Sequence, residues 1–107
     1  MIDCQSASIS VSSASDNEIV AAVTGKRIIV LGYQLSNGAA SAQAVTWKSG
    51  STARTGAMSL PSSVGGSLTA PVSAGNRGYF ATEPSAALNL TLSAATSTTG
   101  FVTYRLA

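Results

Sequence analysis

Leu88, Leu90 and Leu92 alternate with Asn89, Thr91 and Ser93, and a two-residue period of that kind buries its apolar members only in an extended strand with one face against a core. Runs of the same type, short and closed by turn residues, recur along the chain. Residues 18–23 are apolar and end at Thr24-Gly25-Lys26. Residues 27–35 set Ile28, Ile29, Val30, Leu31, Tyr33 and Leu35 on what would be both faces of a strand, which predicts a central strand or one at a subunit contact. Residues 43–48 precede Ser49-Gly50-Ser51, residues 57–60 stop at Pro61, and residues 66–72 contain Pro71, which suits a sheet edge or a strand end. Tyr79 and Phe80 follow Gly75-Asn76, and residues 101–106 alternate Phe101, Thr103 and Arg105 with Val102, Tyr104 and Leu106, so the C-terminal run belongs to the fold. Seven or eight such runs, spaced by roughly 8–12 residues and without a helical period, predict an all-β chain. The expected form is a jelly-roll-like two-sheet β-sandwich of about eight short antiparallel strands.

A chain of 107 residues has enough apolar surface for one modest core. Residues 1–15 are Ser-rich, with Ile9 and Val11 as an isolated alternating pair, and read as an extended N-terminal arm able to pair with a sheet edge rather than as a domain of its own. The single β-sandwich domain is expected over residues 16–107.

Charge is scarce: 9% of the residues carry it, against roughly 25% in ordinary soluble domains, and there is no histidine. Without histidine no serine gains the usual base, four scattered acids offer no carboxylate pair, and one cysteine allows no intrachain disulfide. No enzymatic activity, cofactor or metal is therefore expected. Asp16-Asn17-Glu18 is the nearest approach to a cation loop and reads as a turn with a strand start. Gly65-Gly66 and Thr24-Gly25-Lys26 lack the context of a phosphate loop, and Asn89-Leu90-Thr91 matches a glycosylation pattern inside the clearest strand. The few aromatics, Trp47 among them, are needed for the core, which argues against a base-stacking nucleic-acid platform. The N-terminal residues show no basic segment followed by an apolar run, and no stretch approaches the ~20 apolar residues of a membrane span. The expectation is a protein made in a cytoplasm, with no nucleic-acid, membrane or small-molecule partner.

From Ile19 onward a succession of phrases carries a resemblance: Ile19-Val20-Ala21-Ala22-Val23 with Gly25-Lys26, residues 28–31 with Tyr33, Trp47-Lys48-Ser49-Gly50-Ser51 with Thr55-Gly56-Ala57-Met58, and Ala87-Leu88-Asn89-Leu90-Thr91-Leu92-Ser93-Ala94 before Gly100 and Tyr104. In this order the chain resembles small virion-associated proteins of tailed bacteriophages. The resemblance implies a jelly-roll subunit that forms a homotrimer on the outer surface of the capsid. It would serve as a head decoration or cement protein between major capsid protein subunits, and it transfers no catalytic residue. On that reading Ile2, Ile9 and Val11 are the expected contacts, the arm adding as a strand to a neighbouring subunit. The alternative is a tail- or fibre-associated module that binds a host glycan through residues 36–42, 62–65 and 74–77, with Arg77 and Tyr79 as the contact pair.

Overall fold

The computed structural model describes residues 4–62, 67–71 and 78–107. Among the described residues ten strands form two antiparallel sheets, and no helix occurs. They are β1 (Gln5–Val11), β2 (Asp16–Val20), β3 (Ile28–Asn37), β4 (Gln43–Ser49), β5 (Thr52–Ala53), β6 (Met58–Leu60), β7 (Ser67–Ala70), β8 (Phe80–Ala81), β9 (Leu88–Leu92) and β10 (Thr98–Leu106). One sheet runs β1-β10-β3-β7 with β8 also on β3, and the other runs β2-β9-β4-β5 with β6 also on β4.

The pairings are nested. β1 pairs with β10, β2 with β9, β3 with β7 and β8, and β4 with β5 and β6, as if one long antiparallel ribbon had been folded over itself. Because β5 and β6 share one edge of β4, and β7 and β8 one edge of β3, the ten strands act as eight. Their order is then 1-8-3-6 in one sheet and 2-7-4-5 in the other, the jelly-roll arrangement.

The core lies between the sheets. Ile9, Ile28, Val30, Tyr33, Leu35 and Val102 come from the first, and Val20, Val45, Trp47, Leu60, Leu88, Leu90 and Leu92 from the second. The leucine alternation in β9 is realised as read: Leu88 and Leu90 are fully buried and Leu92 nearly so, with Asn89 and Thr91 on the other face. Trp47 bridges the sheets, its ring 5.3 Å from Tyr33 and 6.0 Å from Phe80 in tilted geometry.

β3 is central, between β10 and β7, but its two apolar faces have a cause that simple alternation does not express. The register against β10 shifts between Thr103 and Tyr104, so that Leu31 is an extra residue. Ile28 and Val30 face the core before this bulge, and Tyr33 and Leu35 face it afterwards. The phase changes in mid-strand, and one buried face is spelled by residues of both parities.

The expected arm pairs with a sheet edge, and over residues 5–11 that makes it a strand of the domain rather than an appendage to it. Residues 5–11 are β1, an edge strand of the domain's own sheet, in register with β10 from Gln5 opposite Tyr104 to Val11 opposite Thr98. Ala7, Ile9 and Val11 continue the inner face that Thr98, Gly100 and Val102 begin, and Ile9 is only 2% exposed. Burying these three side chains and pairing the outer side of β10 draws the segment in. The boundary expected at residue 16 thus falls between two strands of one sandwich. The short link from β1 to β2 is tied down by the Asn17 amide, which donates to the carbonyls of Ser13 and Ser15 at 3.0 Å and of Leu90 at 3.1 Å.

Candidate interaction surface

Among the described residues no cavity opens, and no three of His, Cys, Asp and Glu come together. What the fold positions instead is surface, and the two outer faces differ in chemistry.

On the β2-β9-β4 side, Asp16, Glu18 and Lys48 project outward. Lys48 Nζ lies 3.1 Å from Asp16 Oδ1, and the Thr91 hydroxyl also donates to that carboxylate. The two donors hold the Asp16 carboxyl below its ordinary value of 3.8, the Thr91 hydrogen bond contributing most. Asp16 is thus engaged with its own sheet. Near the end of the same sheet the Arg54 guanidinium pairs with the Glu83 carboxylate.

On the β1-β10-β3-β7 side the outward positions carry hydroxyls, an amide and one ring. The register places Ser8, Phe101, Gln34 and Thr69 in one row across the four strands, and Ser10, Thr99, Ser36 and Ser67 in the next. Ser6 and Thr103 extend the face on the other side of Phe101. No charge enters these rows, the first being Arg105 farther along β10 opposite Ile29. Phe101 is 45% exposed at the centre. The next residue, Val102, is fully buried in the core, so the period of β10 forces the ring out.

The sequence-derived contact residues are dispersed. Ile9 is in the core, and Val11 is half-buried against it. Their expected contact with a neighbouring subunit is therefore corrected: both side chains face the interior of their own domain. Ile2 and Arg77 lie outside the described residues. Tyr79 is 49% exposed, and its hydroxyl donates to the Pro71 carbonyl. Its backbone N–H donates to Val30 at 2.8 Å, so Tyr79 ties the start of β8 back to the end of β7. Of the three loops of the glycan reading, residues 63–65 and 74–77 lie outside the described residues. In the third, Asn37 is buried and spends its amide on Ser41 and Ala39. The Asn89 amide nitrogen donates to the Gly50 carbonyl at 2.7 Å, which makes it a strand-to-turn tie.

Where the uncharged face lies is not legible in the sequence, because its residues come from four strands that are far apart in the chain. The one available signal was Phe101 at an outward position of an alternating strand. Comparison with family models, with curated proteins and with solved structures found no match to this chain.

Proposed function

We propose that this chain is a non-enzymatic structural subunit of a bacteriophage particle: a capsid decoration (cement) protein that binds the outer surface of the head between major capsid protein subunits, as a homotrimer, and stabilises the shell. The observation that carries the reading is the set of charge-free rows around the exposed Phe101 on the outer face of the β1-β10-β3-β7 sheet. Hydroxyls and an amide cost far less to remove from water than charges do, and the centres of protein interfaces are depleted in charge and enriched in aromatic rings.

Size favours several copies. Four strands about 4.8 Å apart and some five residues long make a face of about 300 Å², well short of the ~800 Å² per partner of a stable complex. Three linked copies raise avidity by about 10² to 10⁴ without a new kind of contact. A ligand that binds only the assembled shell stabilises it by mass action.

The test is co-sedimentation of the purified protein with heads that lack it, reading occupancy and the melting temperature of the shell. Saturation at hundreds of copies with a raised melting temperature is expected, and Phe101→Lys should abolish both. A protein that fails to bind heads refutes the reading. The second reading, a tail-associated glycan-binding module, draws on the half-exposed ring of Tyr79. It requires saturable binding to host cells that Tyr79→Ala removes.

A further inference from the structure

An antiparallel sandwich has open edges, and each presents unpaired backbone N–H and C=O groups to any passing strand. Folded chains protect such edges with charge, proline, bulges or brevity. Three of the edges here are protected in one of these ways. β2 carries Asp16 and Glu18 and has a bulge between Glu18 and Val20. β5 and β6 contain two and three residues and are separated by a break in register against β4. β7 has four residues followed directly by Pro71, and β8 has two.

β1 has none of these devices. It is seven residues long, uncharged and free of proline, and its register with β10 is unbroken from end to end. Its sequence, Gln5-Ser6-Ala7-Ser8-Ile9-Ser10-Val11, also has near-mirror order about Ser8. Antiparallel pairing with a second β1, with Ser8 opposite its own counterpart, overlaps all seven residues. Outward, Ser6 then meets Ser10 of the second copy. Inward, Ala7 meets Ile9 and Gln5 meets Val11, so that each larger side chain lies beside a smaller or more flexible one. Any shift of this register shortens the overlap.

We propose that the β1 edge is an isologous self-association surface, at which two copies of this chain join β1 to β1 about a two-fold axis centred at Ser8. The two β1-β10-β3-β7 sheets then form one continuous sheet, and the uncharged rows of their outer faces join end to end across the axis. Such a two-fold contact differs from a three-fold one, and where both exist it links one trimer to the next. The inference rests on the edge alone and stands whether or not the protein binds a capsid.

The test places single cysteines in the Cys4→Ser chain. Ser8 is exposed, so Ser8→Cys keeps the fold, checked by an unchanged melting temperature. Mild oxidation or a short bismaleimide should convert most of the Ser8→Cys chain to a covalent dimer. Ser10→Cys alone should stay largely uncrosslinked, whereas an equimolar mixture of Ser6→Cys and Ser10→Cys should crosslink. Glu18→Cys on the protected β2 edge is the control for random collision. Ser8→Lys, which sets two ammonium groups face to face on the axis, should weaken self-association in sedimentation velocity at least tenfold. Folded Ser8→Cys that stays uncrosslinked, equal crosslinking at Glu18→Cys, or unaltered association of Ser8→Lys would each overturn the proposal.

Discussion

Gly100 stands in the middle of β10, opposite Ile9 on one side and Leu35 on the other, with φ at +149°. A β-carbon there would lie 1.8 Å from the Gln34 carbonyl oxygen, 2.8 Å from its carbon and 3.2 Å from the Leu35 Cα. All three are backbone atoms of a central strand and have no rotamer to escape into. Gly100→Ala therefore carries two costs. Holding a non-glycine residue in that conformation costs about 1–3 kcal/mol, and relieving the overlap by parting two packed strands costs about 1–3 kcal/mol more. The total of about 2–6 kcal/mol is a large share of the ~5–16 kcal/mol expected for a domain of this length. An unfolding entropy of about 2.1 cal/mol/K per residue translates it into a fall in Tm of about 9–27 °C.

Gly56→Ala adds the same methyl group where nothing lies within 4 Å. By restricting the unfolded chain it should raise Tm by about 2–4 °C, from a gain of about 0.4–1 kcal/mol. The assay is thermal unfolding of both variants beside the native chain, followed by circular dichroism and by the fluorescence of Trp47, the single tryptophan. A Gly100→Ala protein that melts within ~3 °C of the native one would refute the claim that β10 and β3 approach too closely there for a side chain.

Two further outcomes follow from buried polar contacts and from charge. Thr82 is fully buried, and its hydroxyl accepts the Ile28 N–H at 2.9 Å. Thr82→Val keeps the shape and strands that donor, so the urea midpoint should fall by the equivalent of about 1–3 kcal/mol at an unchanged m-value. The Asp16 carboxyl has a folded pKa below its ordinary 3.8. Its contribution is therefore fully present above that value and is lost as pH falls through the lower folded one. Because the pair lies at the surface, Asp16→Asn should cost under about 1 kcal/mol at pH 7 and progressively less as pH falls below 3.8, as read by urea titration at a series of pH values.

Some elements were legible residue by residue. The Leu88-Leu90-Leu92 alternation identified β9 and its buried face, and Trp47, expected in the core, is fully buried there. Pro71 marked the end of an edge strand. Other elements were hidden. The 18–23 run predicted a strand two residues later than the observed Asp16–Val20, because residues 21–27 are all exposed and turn at Gly25, whose φ is +75°. β5 has two residues, too few to show any period. The C-terminal strand begins at Thr98, three residues before the expected start, since Thr98, Thr99 and Gly100 have no apolar signal of their own. The uncharged face and the open β1 edge could not be read at all, because both consist of neighbours brought together by register.

Local chemistry determined that this chain is all-β, built of short antiparallel strands and poor in the groups that catalysis and metal binding require. Alternation, turn residues and composition are properties of adjacent residues, and they need no knowledge of the rest of the molecule. Only the tertiary structure decided that residues 5–11 belong to the domain, that Leu31 is a bulge that changes the phase of β3, and that Gly100 must lack a side chain. Each depends on which strand lies alongside which. That choice is made by burying Ile9, Leu35 and Val102 together with the leucines of the opposite sheet, an energy shared among residues up to about a hundred positions apart and therefore not written in any one segment.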